Sequence, residues 1–173
     1  MSKPFAFASG KSQETDEQYA TILGVLLSKK KWQLAIAESC TGGLISHILT
    51  NIPGSSSYFL GGVVCYSNEV KVNLLGVQEM TIYLFGAVSR ETAIEMVRGV
   101  RKIFHSNIAL SVTGIAGPSG GTQEKPVGLT WIGISTPDIE NGFCYHWDGD
   151  RLENKQRSAR QALSLLIDAL QVK

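Results

Sequence analysis

A short apolar run that ends in a polar turn and leads into a helical segment is the feature that most limits the fold of this chain. Residues 34–37 (LAIA) have the composition of a buried strand, and residues 44–49 carry apolar side chains at helical spacing. Between them stands ESCTGG, residues 38–43. At such a corner, a small side chain faces the end of the sheet, and free N–H groups of the helix start point at whatever binds there. The hydroxyl of Ser39 is therefore a candidate functional group, although serine is also an ordinary N-cap.

Helical segments alternate with apolar strands along the whole chain, and this alternation predicts the fold class. It favours an α/β protein, specifically a three-layer α/β/α sandwich with a mixed, mostly parallel sheet of about five strands. We expect a loose N-terminal tail over residues 1–14 and a single domain over 15–173. The predicted strands cover 33–37, 58–66, 108–112, 129–135 and 143–147, and the last two are expected to pair antiparallel through a turn over residues 137–142. The predicted helices begin at Thr15, at Thr41, after the N-caps Asn68 and Ser89, and at Leu152. Residues 78–85 are expected to form a helical turn followed by a loop.

Four unusual segments follow predicted strands, and this placement predicts one shared site. They are residues 38–43, 66–71, 113–121 and 149–151. In open α/β sheets, ligands bind beyond the carboxyl ends of the strands. The third segment continues into GIAGPSGGTQEKP, residues 114–126, which is longer and richer in glycine than a plain connection needs.

Composition and charge exclude several classes of protein. Of the 173 residues, 43% are hydrophobic and 18% charged, as expected of a globular protein. A net charge of +1 gives no basic footprint for nucleic acid. No apolar stretch approaches the roughly 20 residues of a membrane span. The three cysteines form no CxxC pair, which argues against a zinc site or a disulfide framework. We therefore expect a cytoplasmic protein without a metal, a nucleic-acid partner or a membrane partner.

To act as a nucleophile, Ser39 needs a base, and Lys71 is the stronger candidate. None of His47, His105 and His146 falls in a loop at the predicted functional edge, so a Ser-His-Asp triad has little support. Lys71 lies in the first turn of a predicted helix, where the helix dipole disfavours a cation. That position, together with burial, would lower its pKa and allow a neutral amine to take the serine proton. The alternative is an exposed lysine with its ammonium in solvent.

Other chemistry-bearing residues at this edge have two interpretations each. A helix N-terminus lowers the pKa of a thiol, so Cys40 could replace Ser39 as nucleophile; it could equally pack as a small apolar residue. The glycines of residues 114–121 could cradle a phosphate through backbone N–H groups, or could serve only to turn the chain. No Gly-Lys-Ser/Thr ending marks a P-loop. Arg151 could contact an anion or remain solvated.

Seven short motifs occur in order and carry a resemblance to a known family. They are AESCTGG (37–43), PGSS (53–56), YSNE (66–69) with Lys71, GAVS (86–89), TGIAGP (113–118) with Gly120 and Gly121, KPVG (125–128) and GDR (149–151). Together, over residues 15–171, they resemble the CinA C-terminal domain family, whose enzymatic members are nicotinamide mononucleotide (NMN) deamidases. Many family members carry an additional N-terminal domain similar to molybdopterin-binding proteins, and we expect that domain and its activity to be absent.

The resemblance implies a fold, a reaction and a set of site residues. The fold is a three-layer α/β/α domain with a mixed sheet. The reaction is hydrolysis of the NMN carboxamide to nicotinic acid mononucleotide and ammonia, without metal or organic cofactor, by a homo-oligomer. The family's serine–lysine dyad maps onto Ser39 and Lys71, and Tyr66 is expected to assist them. Candidate substrate-binding residues are Glu38, Thr41, Gly42 and Gly43 in the turn, with Thr41–Gly43 as oxyanion donors; Ser55, Ser56 and Asn68; and Thr113, Gly114, Gly117 and Arg151.

One departure from the family pattern supports an alternative function. After Gly-Asp-Arg the family usually has an apolar residue followed by an arginine, where this chain has Asn154 and Lys155. Lysine keeps the charge but lacks the bidentate fork that suits a phosphate. The alternative is a catalytically weak nucleotide-binding or regulatory domain of the same fold. A third interpretation, DNA binding, lacks a basic patch or a nucleic-acid motif.

Overall fold

A central strand that is buried along its whole length organises the domain. The structure, a computed structural model, describes residues 15–171, so the predicted N-terminal tail lies outside the described residues. The elements are α1 Asp16–Lys30, β1 Leu34–Glu38, α2 Leu44–Thr50, a 3₁₀ turn Ser55–Ser57, β2 Phe59–Val64, α3 Asn68–Leu75, α4 Glu79–Phe85, α5 Arg90–Phe104, β3 Ile108–Gly114, β4 Leu129–Ser135, β5 Glu140–His146 and α6 Arg151–Gln171. Every residue of β1 is buried, as expected of a strand covered on both faces.

The five strands form one sheet in the order β2-β1-β3-β4-β5. Strand β1 pairs in parallel with β2 and β3, whereas β4 is antiparallel to both β3 and β5. Four strands therefore run in one direction and β4 alone runs in the other. The predicted mixed, mostly parallel sheet of five strands is confirmed, as is the antiparallel pairing of the last two strands.

Two hydrophobic cores fill the space between the sheet and its helices. One core joins α1, α2 and α6 to one face of the sheet through residues such as Leu23, Ile45 and Leu166. The other joins α3 and α5 to the opposite face, through residues such as Leu75 and Met96. This arrangement is the predicted α/β/α sandwich. Among residues 15–171, no helix combines the length and the hydropathy that crossing a bilayer requires.

Local differences from the sequence predictions have identifiable causes. Helix α3 is capped by Ser67 rather than by Asn68, because the Ser67 hydroxyl accepts the N–H of Val70. Helix α2 begins at Leu44, not at Thr41, since Gly42 and Gly43 adopt positive φ angles of 63° and 92°. Residues 79–85 form a full helix instead of a turn and a loop.

One edge of the sheet collects all four segments singled out in the sequence. The carboxyl ends of β1, β2 and β3 meet there, because these strands are parallel neighbours. Strand β5 ends at the same edge, since His146 pairs with the first residue of β4 and Gly114 pairs with the second. The predicted convergence of residues 38–43, 66–71, 113–121 and 149–151 is confirmed.

The turn between β1 and α2 is held by the side chain of Glu38. This fully buried carboxylate accepts the N–H groups of Gly43 at 3.0 Å and Ile45 at 3.1 Å. It also accepts both the N–H and the hydroxyl of Ser46, each at 2.8 Å. These donors include backbone groups that a helix start leaves without intrahelical partners. Glu38 therefore caps α2 from the preceding strand and fixes the path of residues 39–43.

We predict that Glu38→Gln lowers the free energy of unfolding by about 2–3 kcal/mol, since the amide loses charge-assisted acceptance and turns an NH₂ group toward donors. Glu69→Gln is the matched control, because Glu69 is also acidic, lies in the first turn of α3 and is exposed. It should cost less than about 1 kcal/mol. Urea titration of both variants measures the difference, and equal losses would show that Glu38 does not hold the turn.

Candidate active site

A serine hydroxyl and a lysine amine meet at the carboxyl edge of the sheet. Ser39 follows β1 directly, and its N–H donates to Val112 O at 2.9 Å, which continues the pairing of β1 with β3. Lys71 projects from α3, and its Nζ lies 3.0 Å from Ser39 Oγ. Only 1% of Lys71 is exposed. The alternative of a solvated Lys71 ammonium is therefore wrong.

The surroundings of Lys71 suit a neutral amine. Its Nζ donates to Cys65 O at 2.8 Å and approaches Tyr66 O at 3.5 Å. In the described part of the chain, no carboxylate forms an ion pair with it. Burial lowers the pKa of Lys71 below its usual value. A neutral amine has two N–H bonds for the two carbonyls and one lone pair, which can accept the proton of the Ser39 hydroxyl.

Cys40 lies beside Ser39 but has the wrong properties for a nucleophile. Burial raises the pKa of its thiol to about 12, so the thiolate is scarce at neutral pH. Cys65 is similar, with a pKa raised to about 11 by burial. Within residues 15–171, no histidine hydrogen-bonds to Ser39: His47 contacts Asn51, and His146 contacts Val127 O. The arrangement favours Ser39 and Lys71 as the reactive pair.

The turn after Ser39 offers two free N–H groups, which differ in part from those expected. Gly42 N–H donates to Ser39 O at 3.1 Å, and Gly43 N–H donates to the Glu38 carboxylate. Neither is free to receive an oxyanion. Among the hydrogen bonds of the described residues, the N–H groups of Cys40 and Thr41 donate to no other residue. They are the donors closest in sequence to Ser39 Oγ.

A cavity of about 250 Å³ opens over the Ser39–Lys71 pair. It lies between the ends of β1 and β3, the start of α3, the segment before α5 and the start of α6. Its ionisable groups include the Lys71 amine and the Arg151 guanidinium, and no aspartate or glutamate of residues 15–171 contributes to its wall. The lining residues are Ser39, Cys40, Tyr66, Asn68, Lys71, Ala87, Val88, Thr113, Gly114, Ile115, Ala116, Gly117, Ser119, Gly120 and Arg151.

Arg151 joins two sides of this cavity. Its guanidinium donates to Gly117 O at 2.7 Å and to Tyr66 Oη at 2.8 Å. The bridge connects the glycine-rich loop after β3 with the segment before α3. Arg151 and Tyr66 are both exposed, so they form a polar rim, while Lys71 lies at the floor.

The structure brings together most of the predicted site residues. Eight line the cavity: Ser39, Tyr66, Asn68, Lys71, Thr113, Gly114, Gly117 and Arg151. The Thr113 hydroxyl donates to Ala87 O at 2.8 Å and so supports the wall. Thr41, Gly42 and Gly43 lie in the adjoining turn but not on the lining. Glu38 does not face the cavity either, because its carboxylate is committed to the start of α2, so its expected contact with substrate is corrected to a structural role.

Ser55 and Ser56 lie elsewhere. Their 3₁₀ turn precedes β2, and the first residue of β2 pairs with the first residue of β1. In a parallel sheet this is the edge opposite to the cavity. Within one chain they cannot contact a ligand bound at Ser39, and their predicted role in binding is corrected for that reason.

Several wall residues were not predicted individually. Ala87 and Val88 belong to the GAVS motif, and Ile115, Ala116, Ser119 and Gly120 belong to the glycine-rich segment. Most of them have no reactive side chain, so the only signal was their presence in ordered motifs. Asn154 was noted as a departure from the family, and its buried amide donates to Ala116 O at 3.1 Å and to Gly149 O at 2.9 Å. It therefore anchors the loop that forms one wall.

Comparison with known proteins shows the family of this domain. The family model described as the CinA C-terminal domain matches residues 16–170. A Halothermothrix orenii protein whose name describes it as competence-damage inducible is 54% identical over 83% of this chain, which corresponds to 35% of that protein. The chain thus spans about a third of the length of such curated relatives.

Solved structures show the same fold. The competence/damage inducible protein CihA from Agrobacterium tumefaciens is 39% identical, with a TM-score of 0.85 over 94% of this chain and 100% of that one. A CinA superfamily protein from Klebsiella pneumoniae is 29% identical, with a TM-score of 0.88 over 91% of this chain and 98% of that one. On the match across nearly the whole described domain, this chain belongs to the CinA C-terminal domain family.

Proposed function

We propose that this protein hydrolyses the carboxamide of nicotinamide mononucleotide to nicotinic acid mononucleotide and ammonia. The observation that carries the proposal is the 3.0 Å approach of the buried Lys71 Nζ to Ser39 Oγ. A desolvated lysine beside a serine is a recognised way to activate a hydroxyl for acyl transfer. Resemblance to family members that are NMN deamidases supplies the substrate.

Attack on the amide uses the neutral form of Lys71. Ser39 Oγ bonds to the carboxamide carbon as its proton passes to Lys71 Nζ. The carbonyl oxygen becomes an oxyanion, for which the first donor is the N–H of Cys40 on the cavity wall, followed by the N–H of Thr41 in the adjoining turn. Loss of one such donor typically costs roughly 10²–10³ in rate.

Release of ammonia and deacylation complete the cycle. As the tetrahedral intermediate collapses, the C–N bond breaks, and Lys71 Nζ gives its proton to the departing nitrogen, which leaves as NH₃. Water then attacks the acyl-serine ester and passes a proton to Lys71. Collapse of the second intermediate releases the carboxylic acid and returns a proton from Lys71 to Ser39 Oγ, which restores both groups.

The charge distribution of the cavity favours an anionic substrate. Its wall contains the guanidinium of Arg151 and, among residues 15–171, no carboxylate, although the whole chain has a net charge of only +1. The apolar residues Val88, Ile115 and Ala116 offer surface for an aromatic ring. The Arg151 guanidinium could give up its hydrogen bonds to Gly117 O and Tyr66 Oη and donate instead to a phosphate monoester, in a charge-assisted contact.

We predict that purified protein releases ammonia from NMN and that Ser39→Ala or Lys71→Ala lowers kcat by at least about 10³-fold, because each removes one half of the reactive pair. Cys40→Ala is the matched control, since it changes the adjacent residue, whose thiol stays protonated. Its turnover should remain within about tenfold of the wild type.

Two results would contradict the mechanism or the function. Turnover that survives Ser39→Ala would remove the proposed nucleophile. A wild-type protein that binds NMN without releasing ammonia would instead support the alternative, a nucleotide-binding or regulatory domain. Calorimetric titration with NMN, run beside the ammonia assay, separates these cases.

The pH dependence of kcat/KM provides an independent test of the base. Burial lowers the pKa of Lys71 below the usual 10.5, and only the neutral amine can accept the serine proton. We therefore predict that kcat/KM rises with pH and reaches half its maximum below pH 10.5. Lys71→Arg should be inactive at every pH, because a guanidinium is not deprotonated in proteins. A profile that falls as pH rises through this range would refute Lys71 as the base.

A further inference from the structure

A second lysine, Lys155, lies against the turn that carries the nucleophile. It projects from α6 one helical turn after Arg151, so both side chains lie on the same side of the helix. A methyl group placed on Gly42 would lie 3.5 Å from Lys155 Nζ. Lys155 is partly buried, although it does not line the cavity.

Nothing in the described part of the chain neutralises this ammonium. Lys155 forms neither an ion pair nor a hydrogen bond there. Asp150 and Glu153, the acidic residues at the start of α6, are instead engaged with backbone N–H groups of that helix start. Lys155 lies in the second turn of α6, toward the positive end of the helix dipole, so helix stability does not account for its position.

The field of Lys155 reaches the residues that receive the oxyanion. Its charge acts on Cys40, where it lowers the pKa of the thiol, whereas burial and the Glu38 carboxylate raise that pKa by larger amounts. Cys40 and Thr41 are also the residues whose N–H groups donate to no other residue among residues 15–171. Any negative charge that develops at those N–H groups therefore forms within the field of an ammonium that is only partly screened by water.

We propose that Lys155 is a positioning residue that stabilises the oxyanion electrostatically from behind the turn of residues 39–43. The inference rests on the proposed acyl transfer at Ser39 and extends it to a residue outside the cavity wall. Lys155 transfers no proton and forms no bond to the substrate. Its charge lowers the energy of the tetrahedral intermediate, in which the oxygen is anionic, more than that of the neutral amide.

The first experiment compares Lys155→Met and Lys155→Arg with the wild type on NMN and on nicotinamide riboside, which lacks the phosphate. Lys155→Met should lower kcat about tenfold, less than the loss of a direct oxyanion donor, with little change in KM. Lys155→Arg should retain most of the wild-type kcat, because arginine keeps the positive charge. The fold loss should be equal for both substrates, since the oxyanion is common to them.

Ionic strength adds a readout that a purely structural role would not move. If the effect of Lys155 is electrostatic, the ratio of wild-type to Lys155→Met rates should narrow as salt is raised toward 1 M, where the Debye length is about 3 Å. Lys29→Met is the charge-matched control, because Lys29 is exposed near the end of α1, at the opposite edge of the sheet. Its rates should match the wild type at every salt concentration.

A second substrate keeps this inference separate from the choice of NMN. The p-nitrophenyl ester of nicotinic acid acylates a reactive serine and releases p-nitrophenolate in a burst that Ser39→Ala must abolish. If NMN is not hydrolysed but the burst is about tenfold slower in Lys155→Met, the function fails and the role of Lys155 stands. Three results would overturn the inference: an unchanged burst rate in Lys155→Met, a loss of kcat confined to NMN, or the absence of any burst that depends on Ser39. Thermal unfolding of each variant excludes a loss through misfolding.

Discussion

The buried carboxylate of Glu38 is the constraint on which the site depends. It has no cationic partner in the described residues and is satisfied by three N–H groups and one hydroxyl from the start of α2. A buried carboxylate is tolerated only when its acceptor sites are filled, so the helix start has to stay where those donors reach it. Ser39 comes next in the chain and is tied to β3 by its own N–H. The backbone of Ser39 is thus fixed both by the capped start of α2 and by β3. The Glu38 carboxylate binds N–H groups from Gly43 onward, so it does not engage the N–H groups of Cys40 and Thr41.

Glu38, at the end of β1, and Lys71, in α3, are both buried ionisable groups. Their surroundings differ, and the difference indicates a structural role for Glu38 and a chemical role for Lys71. The acceptor sites of Glu38 are filled by protein donors, which makes it a structural group. Lys71 contacts two backbone carbonyls and the Ser39 hydroxyl, without a carboxylate to hold its proton. Burial without a counter-charge destabilises the ammonium and lowers its pKa. Such an arrangement costs folding free energy, and it is typical of functional rather than structural positions.

Much of the fold and half of the site follow from the sequence, and the remainder depends on contacts that no local pattern encodes. The alternation of helical and strand periodicity along the chain predicted the α/β/α layers. Parallel pairing of neighbouring strands predicted that the carboxyl ends of β1, β2 and β3 lie at one edge of the sheet. Spacing alone could not decide whether Lys71 is buried, since that depends on packing of α3 against the sheet. The position of Ser55 and Ser56 does not follow from the sequence, because motif order does not reveal at which edge of the sheet a turn lies. Glu38 was assigned to substrate because sequence proximity to Ser39 does not indicate which way a side chain turns at a strand end.

Asn154 and Lys155 differ from the residues that the family pattern has after Gly-Asp-Arg, and this difference bears on whether the site is intact. Buried polar side chains in native structures are hydrogen-bonded, and one without a partner would indicate a disrupted cavity wall. Here the Asn154 amide instead accepts the N–H of Gly149 and donates to Ala116 O and Gly149 O, so it binds α6 to the glycine-rich loop. Lys155 retains a positive charge beside Gly42. The two residues therefore hold one wall of the cavity in place and keep a positive charge beside the nucleophile turn. This pattern fits a cavity that still receives an anionic ligand, which both the proposed amidase and the nucleotide-binding alternative require.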